Sequence, residues 1–140
     1  MSVKQNKATL KRMYDEVWNK GNYGAVQELV SPDYQHGDYK GPEGWKQLVS
    51  SMRTAFPDLH DTIDQVIGEG NWLAYRVSLT GTFKAKYGDI KPTGKKLKMT
   101  QILFSQFKAG KLVATVPLSD TLAFYQSLGI APPGYEIAKK

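Results

Sequence analysis

The chain contains no cysteine and only two histidines, His36 and His60. A disulfide framework and a thiolate metal site are therefore excluded, and a histidine-rich metal centre lacks ligands. No apolar run approaches the ~20 residues needed to cross a bilayer. The opening Met-Ser-Val-Lys-Gln-Asn-Lys also lacks the apolar core of a signal peptide. The expectation is a cytoplasmic protein with no membrane partner and no metal. Internal repeats and low-complexity linkers are missing too. With 140 residues, 41% of them hydrophobic and 23% charged, the chain is read as one domain spanning 1–140. Residues 1–4 and 132–140 are read as loosely held tails.

Acidic residues are outnumbered, and the net charge of +6 invites a nucleic-acid reading. Its distribution argues against one. Lys84, Lys86, Lys91, Lys95, Lys96 and Lys98 fall in one loop and the start of the following strand. No arginine accompanies them, and Tyr87 is the only nearby aromatic, so there is no stacking platform for bases. The segment reads as a solvated hairpin whose lysines discourage edge pairing.

What is present is a change of period. Leu10, Met13, Tyr14, Val17 and Trp18 recur at helical spacing in a first helix over 5–20, which Gly21 ends. Asn22 can cap a short second helix carrying Val26, Leu29 and Val30. Tyr34-Gln35-His36 reads as a short strand entering a loop at Gly37-Asp38. Gly41-Pro42-Glu43 starts a third helix, buried along Trp45, Leu48, Val49, Met52 and Phe56 and closed by Pro57. Beyond Pro57 the period becomes two. Strands are expected over 62–67, 72–83, 97–107 and 111–116, with turns at Glu69-Gly70-Asn71, Pro92-Thr93-Gly94 and Lys108-Ala109-Gly110. Helices first and antiparallel strands after give an α+β layout. Three amphipathic helices on one face of a strongly curved sheet would enclose a cone.

The stretch from Gly110 to Gly129 organises the rest. It reads as a β-branched strand, a kink at Pro117 and an amphipathic helix opening near Ser119, with Gly129 as its stop signal. Asp120 lies where strand gives way to helix. It can cap the first free N–H groups of the helix, or it can face a cavity and move protons. Among other candidates, Tyr14, Trp18, Met52 and Phe56 suit either core or pocket lining. Arg76 could pair with Asp120 or bind a carbonyl oxygen. Gln101 lies mid-strand on an apolar face, where an amide is costly unless bonded, and is a candidate for orienting a ligand.

Four pieces of sequence carry a family resemblance. They are Tyr14-Asp15-Glu16-Val17-Trp18-Asn19-Lys20-Gly21-Asn22, Ser31-Pro32-Asp33-Tyr34-Gln35-His36 and Ala55-Phe56-Pro57-Asp58-Leu59-His60. The fourth is Gly81-Thr82-Phe83 with Pro92-Thr93-Gly94-Lys95, continuing to Gly110-Lys111-Leu112-Val113 and Asp120…Leu128-Gly129. In this order the chain resembles a SnoaL-like polyketide cyclase, or ester cyclase, of the nuclear-transport-factor-2-like superfamily. The resemblance implies a cone-shaped α+β fold with a curved antiparallel or mixed sheet, a deep apolar pocket and a homodimer through the sheet face. It also implies cofactor-free intramolecular aldol chemistry on a hydrophobic, polyketide-ester-like carbonyl substrate. Asp120 matches the family's general acid/base, and His36 the histidine after the first strand. One departure stands out. Where the family commonly reads Gly-Lys-Ile-Val-Glu-Glu-Trp, this chain has Lys111-Leu112-Val113-Ala114-Thr115-Val116. Because that strand lines the pocket in the resembled fold, Val116 counts as a lining residue and the cavity is expected to be larger, less polar and less acidic. The competing expectations are a hydrophobic-ligand-binding module without chemistry, natural or engineered, and a pure interaction protein with a filled cone.

Overall fold

The computed structural model describes residues 2–132. Of the expected tail at 132–140, residues 133–140 lie outside them. At the other end the structure departs from expectation. Helix α1 runs Val3–Arg12, because Ser2 and Gln5 form a capping box. Ser2 Oγ accepts from the Gln5 N–H (3.1 Å), and Gln5 Oε1 accepts from the Ser2 N–H (2.9 Å). Residues 2–4 are thus tied into the helix. The α-helix does not persist to residue 20 either: Met13–Trp18 is a π-helical turn. Its widened ladder is marked by the Asn19 N–H, which donates to the Tyr14 carbonyl five residues back at 2.9 Å.

A 3₁₀ turn (Tyr23–Ala25) leads into the short α2 (Val26–Leu29). Asn22 occupies the cap position there, but its side chain makes no cap bond. The expected first strand is half of a small hairpin, β1 (Gln35–His36) with β2 (Tyr39–Lys40). Helix α3 follows at Gly41–Ala55, with Pro42 in its first turn. It buries Trp45, Val49, Met52 and Ala55. The Phe-Pro-Asp corner after it is structural. The Asp58 carboxylate accepts from the Thr82 N–H (2.6 Å) and hydroxyl (2.8 Å), which hold its carboxyl below the usual range.

The main sheet is antiparallel in the order β3-β4-β5-β6. Its strands are β3 (His60–Glu69), β4 (Trp72–Thr82), β5 (Lys96–Lys108) and β6 (Lys111–Ser119). Register shifts at Ile63/Gln65 and Gln106/Phe107 bend it. A parallel bridge, Val30 to Leu112, makes its outer edge mixed. Strand β6 does not stop at the expected kink. Pro117 sits opposite Leu103 within the strand, and an edge strand can spare the missing N–H. Helix α4 (Thr121–Leu128) closes the fold, ended by Gly129 at φ 71° as anticipated.

Alternation along the strands sorts side chains cleanly. Leu73, Tyr75, Val77 and Leu79 of β4, with Leu97, Met99, Leu103 and Phe107 of β5, face the helices and are buried. Phe56 stacks on Phe83 (5.2 Å between centroids) and meets Phe124 edge-on at 6.4 Å, joining α3 to α4 beneath the sheet.

One helix contact admits no side chain. A Cβ at Gly44 would lie 2.7 Å from the Tyr39 carbonyl carbon, so α3 can sit against the β1–β2 hairpin only with glycine there. Gly44→Ala should therefore destabilise the protein by roughly 1–3 kcal/mol despite alanine's better helix propensity. Urea unfolding of the variant checks this, and an unchanged or raised midpoint would contradict it.

Candidate functional site

A cavity of about 280 Å³ opens between the helices and the inner face of the sheet. The first helical segment contributes Met13, Tyr14 and Trp18, and α3 contributes Trp45, Leu48 and Met52. The sheet supplies Tyr75 and Leu79 from β4, then Met99, Gln101 and Leu103 from β5, then Thr115, Pro117 and Ser119 from β6. Tyr34, His36 and Tyr87 close the sides with Thr121, Phe124 and Tyr125. The π-helical turn matters here. It places Tyr14 and Trp18 on the same wall with rings stacked 6.1 Å apart, and sets Tyr14 edge-on to Tyr75 at 6.0 Å.

The polar groups in this apolar chamber are mostly hydroxyls and amides. Tyr75 Oη and Ser105 Oγ share a 2.7 Å hydrogen bond, and Ser105 Oγ lies 3.3 Å from Thr115 Oγ1. Gln101 Nε2 donates to Ser119 Oγ at 2.8 Å. Burial pushes the phenol of Tyr34 up to about 12 and that of Tyr75 above its ordinary value. Tyr14 is pushed well above it, first by burial and then by Tyr75 beside it. All three phenols therefore stay neutral at physiological pH and can donate hydrogen bonds. No carboxylate lines the chamber among the described residues; His36 supplies its one imidazole.

The model of the SnoaL-like polyketide cyclase family matches residues 8–128. The chain belongs to that family. Among solved structures it is similar to a candidate polyketide cyclase from Acidithiobacillus ferrooxidans, with 29% identity, 92% of this chain and 98% of that one covered, and a TM-score of 0.77. It is also similar to a SnoaL-like polyketide cyclase from Agrobacterium tumefaciens (18%, covering 89% and 98%, TM-score 0.78). TsrD from Streptomyces laurentii is a third (18%, covering 94% and 99%, TM-score 0.86). No curated protein sequence matches it.

This SnoaL-like chain brings together five of the residues expected from sequence: Tyr14, Trp18, His36, Met52 and Gln101 all line the chamber. Four others lie elsewhere. Asp120 is the N-cap of α4, exposed to solvent, with Oδ1 accepting from the Ala123 N–H at 3.1 Å. Its neighbours Ser119 and Thr121 line the chamber and it does not. Val116 is turned outward by the same alternation and is 57% exposed. Arg76 projects from the outer face of β4 and pairs with Asp64 (Nε to Oδ2, 3.6 Å) rather than with Asp120. Phe56 is fully buried in the aromatic stack and belongs to the core.

Sequence reasoning missed Tyr34, Tyr75, Thr115 and Ser119. It also missed a buried acid, Asp61, which is 4% exposed. Asn19 clamps its backbone from both sides, donating to the Asp61 carbonyl (2.9 Å) and accepting from its N–H (2.7 Å). The carboxylate Oδ1 has no hydrogen-bond partner. Burial, opposed in part by the charge of Arg53, raises the pKa of Asp61 to about 7. A folded pKa above the unfolded value means that the neutral acid suits the fold. The associated stability is fully present below pH ~4 and is lost as pH rises through about 7. Asp61→Asn should consequently gain stability over wild type with rising pH, by up to a few kcal/mol at pH ~8.5. Denaturant titrations at pH 5 and 8.5 test the sign; a variant that loses more stability at the higher pH would refute it.

Proposed function

We propose that this SnoaL-like protein takes a hydrophobic carbonyl compound into the chamber and acts on it as an acid–base cyclase or isomerase. The observation that carries the reading is the lining itself. A largely apolar cavity holds neutral phenols as oxygen-directed donors, with one imidazole at its wall. In this scheme His36 removes the proton beside the carbonyl. The phenols of Tyr14 and Tyr75 stabilise the oxygen that gains charge, and the imidazolium returns a proton after ring closure or double-bond shift. The names of the relatives favour a polyketide-like substrate. Asp120, committed to the helix cap, takes no part.

The test is proton exchange or turnover of aromatic β-keto esters by His36→Gln and Asp120→Asn beside the wild type. His36→Gln should lose about 100-fold or more, whereas Asp120→Asn, which keeps the capping oxygen, should keep wild-type rates. Loss of activity in Asp120→Asn alone would overturn the assignment. Ligand binding without exchange in the wild type would favour the non-catalytic binding module.

The sheet face supports a further part of the proposal, a homodimer. On the outer side of β5 and β6, Ile102 pairs across to Leu118 and Phe104 to Val116. These four are between 51% and 76% exposed, an apolar stripe of the kind that covers itself in a two-fold contact. Phe104→Lys combined with Leu118→Lys should give a monomer in sedimentation analysis at micromolar concentration, and a wild type that is itself monomeric would refute the dimer.

A further inference from the structure

We propose that the chamber selects an elongated ligand with a hydrogen-bonding oxygen at each end and an apolar middle, read by two polar rungs of β5 and β6. This rests on the ligand-chamber reading above and adds to it the ligand's shape and its polar pattern.

The register pairs Gln101 with Ser119, Leu103 with Pro117 and Ser105 with Thr115, and no bulge falls between these pairs. Alternation sends all three rungs to the inner face. Gln101 and Ser119 line the chamber at one end, Leu103 and Pro117 line its middle, and Thr115 lines the other end. Four residues at about 3.3 Å each set the polar rungs about 13 Å apart along the strands.

The two ends carry separate networks among the described residues. At one, Gln101 Nε2 donates to Ser119 Oγ at 2.8 Å. That leaves the Gln101 carbonyl, its second N–H and the Ser119 hydroxyl for a ligand. At the other, Ser105 lies between Tyr75 (2.7 Å) and Thr115 (3.3 Å), and Tyr14 packs against Tyr75. On the β5–β6 wall Leu103 and Pro117 offer no side-chain partner between the two rungs, so a polar atom set against that stretch of the wall is penalised by desolvation. A ligand with one oxygen satisfies one end only.

Calorimetric titration with two biphenyls tests this. Para,para′-biphenol has a hydroxyl at each end, and para-phenylphenol has the same body with one. Wild type should bind the biphenol about tenfold tighter, the value of one extra buried hydrogen bond. Gln101→Leu should bring the biphenol down to the affinity of the phenylphenol and leave the phenylphenol within about twofold. Ser119→Ala, a smaller change, should move the biphenol in the same direction, with folding of both variants verified by circular dichroism. Equal binding of the two compounds by wild type would overturn the two-ended rule while leaving the chamber reading standing. Binding of neither would bring down both.

Discussion

Between Gln101 and Ser105 strand β5 faces β6 in unbroken antiparallel register, and the identity of the chamber depends on that alignment. A slip of one residue along β6 would withdraw Thr115, Pro117 and Ser119 and present Val116, Leu118 and Asp120 in their place. A hydroxyl-lined wall would become an apolar one ending in a carboxylate. Several contacts pin the register. The Ala109-Gly110 turn adopts left-handed backbone at φ 52° and 77°. The Val30–Leu112 bridge fixes the start of β6 from outside, and side-chain hydrogen bonds join Gln101 to Ser119 and Ser105 to Thr115. The side chains that hold the register are thus the ones that the proposed reading assigns to a ligand.

The opposite wall depends on a second clamp. Asn19 closes the π-helical turn with its backbone and grips both backbone groups of Asp61 with its side-chain amide. This fixes the first helical segment against β3 and sets Tyr14 on Tyr75. The clamp has an electrostatic consequence, since it draws Asp61 into the interior with an oxygen that nothing satisfies. Buried polar groups in native proteins are nearly all bonded, so this acid is a standing cost, and burial answers it by raising the pKa to about 7.

The α+β order, the three buried helix stripes and the strands were legible because apolar periodicity is strong and long-range. Glycine and proline placed both ends of α3 and the C-terminal end of α4 within a residue. The π-helical turn was not legible, since a widened turn leaves the apolar spacing of Met13, Tyr14, Val17 and Trp18 almost unchanged. The site was read less well than the fold. Helix-borne Tyr14, Trp18 and Met52 declared themselves by spacing. On β6, ending the strand at Pro117 removed the alternation that would have sent Thr115 and Ser119 inward and Val116 and Asp120 outward. Asp61 escaped notice because an aspartate at a strand entrance reads as polar surface. Its burial comes from the packing of the first helical segment against β3, which Asn19 clamps in place.

The strand-to-helix junction shows why a residue's place in sequence does not determine its chemistry. To cap α4, the Asp120 carboxylate must turn toward the Ala123 N–H, and a cap of this kind contributes on the order of 1 kcal/mol. The same side chain cannot also reach the chamber, because Ser119 before it and Thr121 after it occupy the inward positions. Both carry hydroxyls, which donate and accept without charge and so cost less to bury than a carboxylate. The absence of acids from 112–116 points the same way: the strand that leads to the junction brings no carboxylate inward, and what the chamber offers a ligand oxygen is a set of neutral donors. With such a lining, the proposed scheme assigns proton transfer to His36, the one imidazole that lines the chamber, and orientation to the phenols and the amide.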